Sequence, residues 1–98
     1  MRVRFLPLAE QEAQEATAYY RDQSSQVAER FLNDVAQAML LLERFPKIGA
    51  PIGKNARRWI LKTFPYQFIY RVEGDEIRVY AVAHLKRKPG YWRQRLRD

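Results

Sequence analysis

The 98-residue sequence contains no cysteine. A disulfide framework, a thiolate nucleophile and any Cys-based zinc or iron–sulfur centre are therefore excluded, and the chain suits a reducing compartment, so a cytoplasmic location is expected. His84 is the single histidine and has no carboxylate pair beside it, so neither a metal site nor a cofactor is expected. The two serines, Ser24 and Ser25, are adjacent and stand between two helical patterns, which argues against Ser/His/Asp hydrolysis. Glycine is scarce, and Gly49 and Gly53 match neither known phosphate-loop spacing. Glu73, Asp75 and Glu76 cluster in one turn while most other acids lie along helices, which argues against a paired-carboxylate mechanism. No stretch of ~18 uncharged apolar residues occurs, and Arg4 and acidic side chains interrupt the first residues, so neither a membrane span nor a secretory leader is expected.

What is present is enough for one compact domain over residues 1–98: 47% of the residues are apolar and 13% aromatic. The net charge of +7 is unevenly divided. Residues 1–49 hold six Lys/Arg against seven Asp/Glu, whereas residues 50–98 hold twelve against four. The first half thus reads as scaffold, and the second as the part that meets something anionic.

Arg2 to Leu6 alternates charged and apolar side chains, as a half-buried strand does, and Pro7 ends it. Leu8 to Asp22 spaces Ala9, Ala13, Ala16 and Tyr20 at helical intervals, with Glu10, Glu12 and Glu15 favourably near its start. Ser24 or Ser25 can cap a second helix, whose apolar stripe runs Ala28, Phe31, Val35, Ala38, Leu42 and Phe45, widened by Leu32, Met39 and Leu41, until Pro46. Lys47 to Ala56 reads as an irregular connection. Three β-rich runs follow, Arg57 to Thr63, Gln67 to Val72 and Glu76 to Leu85, with separators short enough for an antiparallel meander. Pro89 can open a short carboxy-terminal helix. The expected fold is α+β, in the order β-α-α-β-β-β with a short final helix, a curved antiparallel sheet packed against a helical hairpin.

Strict alternation puts Arg58 and Lys62 on one face of the first meander strand, and Arg78, Tyr80, Val82, His84 and Lys86 together on the third. If the helices leave that face bare, it offers Arg58, Lys62, Gln67, Arg71, His84 and Lys86, with Arg87, Lys88, Tyr91 and Trp92 at the rim. Such a surface suits phosphates and unstacked bases. His84 is the one side chain ready to exchange a proton near neutral pH, and its plainer reading is a partly buried group bonded to backbone. Trp92 leans toward packing.

The meander and tail, from Phe64-Pro65-Tyr66 through Tyr70-Arg71-Val72 and Ala81-Val82-Ala83-His84 to Pro89-Gly90-Tyr91-Trp92, resemble the RelE/ParE family of toxins from bacterial type II toxin–antitoxin modules. The resemblance implies a small basic toxin neutralised by a cognate, acidic antitoxin in a hetero-oligomer. Two targets are known in that family. RelE-like members are ribosome-dependent endonucleases that cut mRNA, and ParE-like members bind DNA gyrase without enzymatic action. For cleavage, the resemblance nominates Lys62, Lys86, Arg87 and Tyr91, with His84 as acid or base, as the catalytic set. Arg58, Arg71, Lys88, Trp92, Arg93 and Arg95 are the RNA-binding candidates. Gln67 stands where an arginine would be, which removes a cation that would stabilise the transition state. Cleavage is the first expectation and gyrase inhibition the alternative; an inactive basic nucleic-acid-binding module is a third reading.

Overall fold

The computed structural model describes residues 1–97. Strand β1 (Arg2–Phe5) is followed by helices α1 (Pro7–Gln23) and α2 (Ser25–Arg44), then by β2 (Ala50–Gly53), β3 (Ala56–Ile60), β4 (Tyr66–Glu73) and β5 (Glu76–His84), and by a 3-10 turn over Arg93–Leu96. The helices form the expected hairpin. Pro7 occupies the first turn of α1, where its missing N–H costs nothing. Ser24 is the cap of α2, its hydroxyl accepting from the amides of Gln26 and Val27 at 3.1 and 3.4 Å. Among the described residues no helix is long and apolar enough to cross a membrane.

The sheet order is β1-β5-β4-β3-β2, and three features depart from the expectation. First, β1 runs parallel to β5, so the sheet is mixed rather than antiparallel throughout. The helical hairpin and three strands intervene before β5 returns alongside β1. Second, the connection read as irregular contains β2, which pairs antiparallel with β3 through a hairpin whose central residues Lys54 and Asn55 lie at φ 50° and 59°. Two successive left-handed residues give the primed turn that matches strand twist, but Lys-Asn is an uncommon way to build it. Replacing the pair by Asn-Gly is expected to stabilise the chain by about 1 kcal/mol, measured by urea unfolding. Third, the last element among the described residues is a 3-10 turn, and Pro89 lies before it in a turn rather than opening a helix.

A β-bulge matters most for function. Ile69 pairs with Ala81 but Tyr70 pairs with Val79, leaving Tyr80 as an extra residue on β5. The bulge reverses side-chain parity midway along the strand. Ile77 and Val79 enter the helix-facing core before it, and Val82 enters the same core after it, alongside Phe31, Leu42, Phe68 and Tyr70. Tyr80, Ala81 and Ala83 turn instead to the opposite face, with Ile69 and Ala56. The expected shared face of Tyr80, Val82 and His84 therefore does not exist. Nor is the opposite face bare, because Trp92 and Leu96 of the carboxy-terminal segment pack on it.

The connection after α2 is pinned by Tyr70. Its ring is buried in the core, its hydroxyl donates to the Pro46 carbonyl at 2.7 Å, and it accepts the Gly49 amide at 3.0 Å. Burial raises the Tyr70 pKa despite the Gly49 hydrogen bond, which keeps the hydroxyl a donor. Arg57 adds hydrogen bonds to the carbonyls of Lys47 and Gly49. Asp34, buried on α2, accepts the amides of Thr63 and Phe64 at 3.0 and 2.8 Å and so fixes the loop between β3 and β4.

Candidate functional site

The carboxy-terminal segment is organised by one carboxylate. Glu12 points from α1 toward the sheet with its side chain 10% exposed. It accepts the Val82 amide at 3.0 Å, the Tyr91 hydroxyl at 2.5 Å and both terminal nitrogens of Arg95 at 2.8 and 3.1 Å. Arg87 stands 3.7 Å away, over the Tyr91 ring. Burial works to raise the Glu12 pKa, but the bonds from Arg95, Tyr91 and Val82 together outweigh it and hold the carboxyl below its ordinary range. The same arrangement pushes Tyr91 up to about 12, through burial first and then through its bond to an anion. Arg95 also donates to the Tyr80 carbonyl. Pro7 ends β1 opposite the middle of β5, so beyond that point β5 has no strand on this side among the described residues, and Glu12 and Arg95 satisfy backbone groups a neighbouring strand would have paired.

The tail is also held on its other side. Arg71 is buried, donates to the carbonyls of Lys54 and Leu96 at 2.8 and 2.7 Å, and lies over the Tyr80 ring. The hydroxyl of Tyr80 donates to Glu73.

His84 sits on the helix side of the sheet, in a niche of about 220 Å³ between Glu12, Glu15, Tyr19, Tyr66 and Arg87. Its ring meets Tyr66 edge-on at 5.0 Å, and its Nδ1 accepts the Lys86 amide, which leaves the neutral ring's proton on Nε2. Tyr66 is raised to about 12, chiefly by burial. A hydroxyl so reluctant to ionise makes a poor base. Lys62 belongs elsewhere, in a groove with Asp34, Gln37 and Trp59 under α2. Arg58, Lys86, Lys88 and Arg93 are exposed, with Arg93 also over the Trp92 ring. Trp92 is 6% exposed and packs rather than offering a stacking face. The fold thus gathers Arg87, Tyr91 and Arg95 around Glu12, with His84 beside Arg87, and separates Lys62 from them.

A family model described as the ParE toxin of the type II toxin–antitoxin system parDE matches residues 3–89. The chain belongs to the ParE toxin family. A solved structure described as a chromosomal ParDE toxin–antitoxin system from P. aeruginosa superposes with a TM-score of 0.75 at 18% identity, covering 88% of this chain and 97% of that one, and so shares its fold. No curated protein sequence matches.

In this ParE-family toxin the residue that sequence reasoning passed over is Glu12. By local pattern it reads, with Glu10 and Glu15, as favourable charge near a helix start. The available signal was its place in the stripe, because position 12 lies on the same helical face as Ala9, Ala13 and Ala16, and a carboxylate on a buried face needs partners.

Proposed function

We propose that this chain is the toxin of a type II module that acts by binding DNA gyrase, and that a short acidic antitoxin neutralises it. The observation that carries this reading is that the groups needed for cleavage do not make one free cationic site: Arg87, Tyr91 and Arg95 are engaged with the Glu12 carboxylate, and Lys62 lies apart from them. A ribosome-dependent nuclease needs a base for the 2′-hydroxyl, cations at the phosphate and a donor for the leaving oxygen within one site. Here the Tyr91 hydroxyl is already bonded to Glu12, His84 shares its niche with the carboxylates of Glu12 and Glu15, and Lys62 lies under α2. Gln67 supplies no charge where the family's nucleases carry arginine. A binding toxin requires none of these, only a surface, and the family match supports the same choice. The charge of +7 suits an acidic antitoxin that associates rapidly at low salt.

Purified protein is expected to inhibit gyrase supercoiling and to leave ribosome-bound mRNA intact. Cleaved message with unimpaired gyrase would reject the proposal in favour of the nuclease. His84→Ala is expected to retain growth arrest within about twofold, since an acid–base group normally contributes ~10²–10⁴ in rate and none is needed here.

A further inference from the structure

The core stripe of α2 leaves part of its apolar surface uncovered. Gln37, Leu40, Leu41 and Arg44 recur at i, i+3, i+4 and i+7, beside the buried row of Ala28, Phe31, Val35, Ala38 and Leu42. With Phe45 and Trp59 this second row lines a trough of about 670 Å³ between α2 and β3, and Arg44 and Phe45 continue it into a hollow of about 530 Å³ beside Ile48 and Val72. Of the nine large hydrophobic side chains exposed among the described residues, Met1, Leu40, Phe45 and Ile48 border this one surface. Scattered exposed apolar residues need no explanation, but a continuous patch of this kind marks an interaction site.

Charge narrows the occupant. The exposed charges on the rim, Arg44, Lys47 and Lys62, are all cations, while Glu43 is half-buried and the carboxylate of Asp34 is bonded to the Thr63 and Phe64 amides. A second copy would bring the same cations face to face across a two-fold axis, which disfavours self-association. A different trough, of about 610 Å³, lies on the other flank of α2 beside Val3, Phe5 and Leu32. It adjoins β1, whose outer edge is unpaired among the described residues, and so suits an extended wrapping chain that adds main-chain hydrogen bonds. The trough at Leu40 is walled mainly by the side chains of α2 and meets the sheet only at Trp59 and the residues just after β3, so it suits a helix that packs side chains against α2.

We infer that the trough lined by Leu40, Leu41, Phe45 and Trp59 docks an amphipathic helix of the target enzyme, apolar on one stripe and acidic on its flank. This rests on the gyrase reading above. Leu40→Glu and Lys62→Glu each alter an exposed side chain, and the concentration of toxin giving half-inhibition of gyrase supercoiling is expected to rise at least tenfold in each. Binding to the purified antitoxin is expected to stay within about twofold, and circular dichroism to show an unchanged fold. Arg30→Glu, which makes the same charge change at a position outside the trough, is expected to leave inhibition unaltered.

Full inhibition by both trough variants overturns the inference while leaving the gyrase reading intact. Loss of antitoxin binding with full inhibition assigns the trough to the antitoxin and also overturns it. So does a wild-type dimer that Leu40→Glu dissociates. A wild-type protein without effect on gyrase removes this inference together with the reading on which it rests.

Discussion

Glu12→Ala is expected to lower stability by about 3 kcal/mol, a fall in Tm of roughly 12 °C or more for a domain of this size. The loss exceeds that of an ordinary surface ion pair because the variant strands several groups together. Arg95, 20% exposed, would keep its charge without its partner, the Tyr91 hydroxyl would lose its acceptor, and the Val82 amide would face a strand edge with nothing to bond. Glu12→Gln retains an acceptor for Val82 and Tyr91 and is expected to lose about 1–2 kcal/mol. In the Arg95→Ala background, Glu12→Ala should cost at least ~1 kcal/mol less than in the wild type, since the stranded cation is gone. Strict additivity in that cycle would refute the role of the carboxylate as the hub.

The pH dependence follows from the same contacts. The folded-state pKa of Glu12 lies below its ordinary value of 4.5. Its contribution is therefore fully present above that value and is lost as pH falls through the lower, folded-state pKa. The stabilities of the wild type and of Glu12→Gln should differ by a constant amount above 4.5 and approach one another as pH falls from 4.5 through the lower, folded-state pKa. Curves that stay parallel below 4.5 as well would show that the carboxylate is not held ionised by its neighbours.

Gly49→Ala is expected to cost about 3 kcal/mol, the upper end of what overpacking usually produces. A Cβ there would lie 2.6 Å from the Arg58 carbonyl oxygen, 2.7 Å from the Tyr70 hydroxyl and 2.9 Å from the Tyr70 ring. None of these is the loose end of a flexible chain, because one is the backbone of β3 and the others belong to a ring fixed in the core and bonded to Pro46. The glycine is required for close approach, since its φ is not among the left-handed values. Tyr70→Phe would not rescue Gly49→Ala, as the carbonyl and ring carbon remain. Chemical denaturation of the single and double variants tests this, and a loss under about 1 kcal/mol for Gly49→Ala would mean that β2 and β3 separate easily.

The opposite parity of Val79 and Val82 shows where legibility ends. Each strand of the meander announces itself through alternation and β-branched residues, and each helix through spacing, a proline and a capping serine, because these signals act within a few residues. A bulge is a property of two paired strands, and no local pattern in Ile77 to His84 reports that Tyr80 has no partner on β4. That single unpaired residue moves His84 from the expected cationic face to the niche behind α1. The hairpin between β2 and β3 escaped for a related reason, since Lys54-Asn55 carries little of the Asn-Gly signature although it adopts the same left-handed geometry.

The α+β class, the helical hairpin, the meander, the concentration of positive charge in the second half and the resemblance to the RelE/ParE family are all legible in the order of the residues. These depend on composition and on periods of 2 and 3.6 residues, which the chain carries locally. Which cations stay available is set by contacts between elements far apart in the chain. Glu12 reaches partners 70 to 83 residues away, and the Arg71 guanidinium bonds a carbonyl 25 residues on. Such contacts exist only once the helices lie on the sheet, because a buried charge is matched in space rather than along the chain.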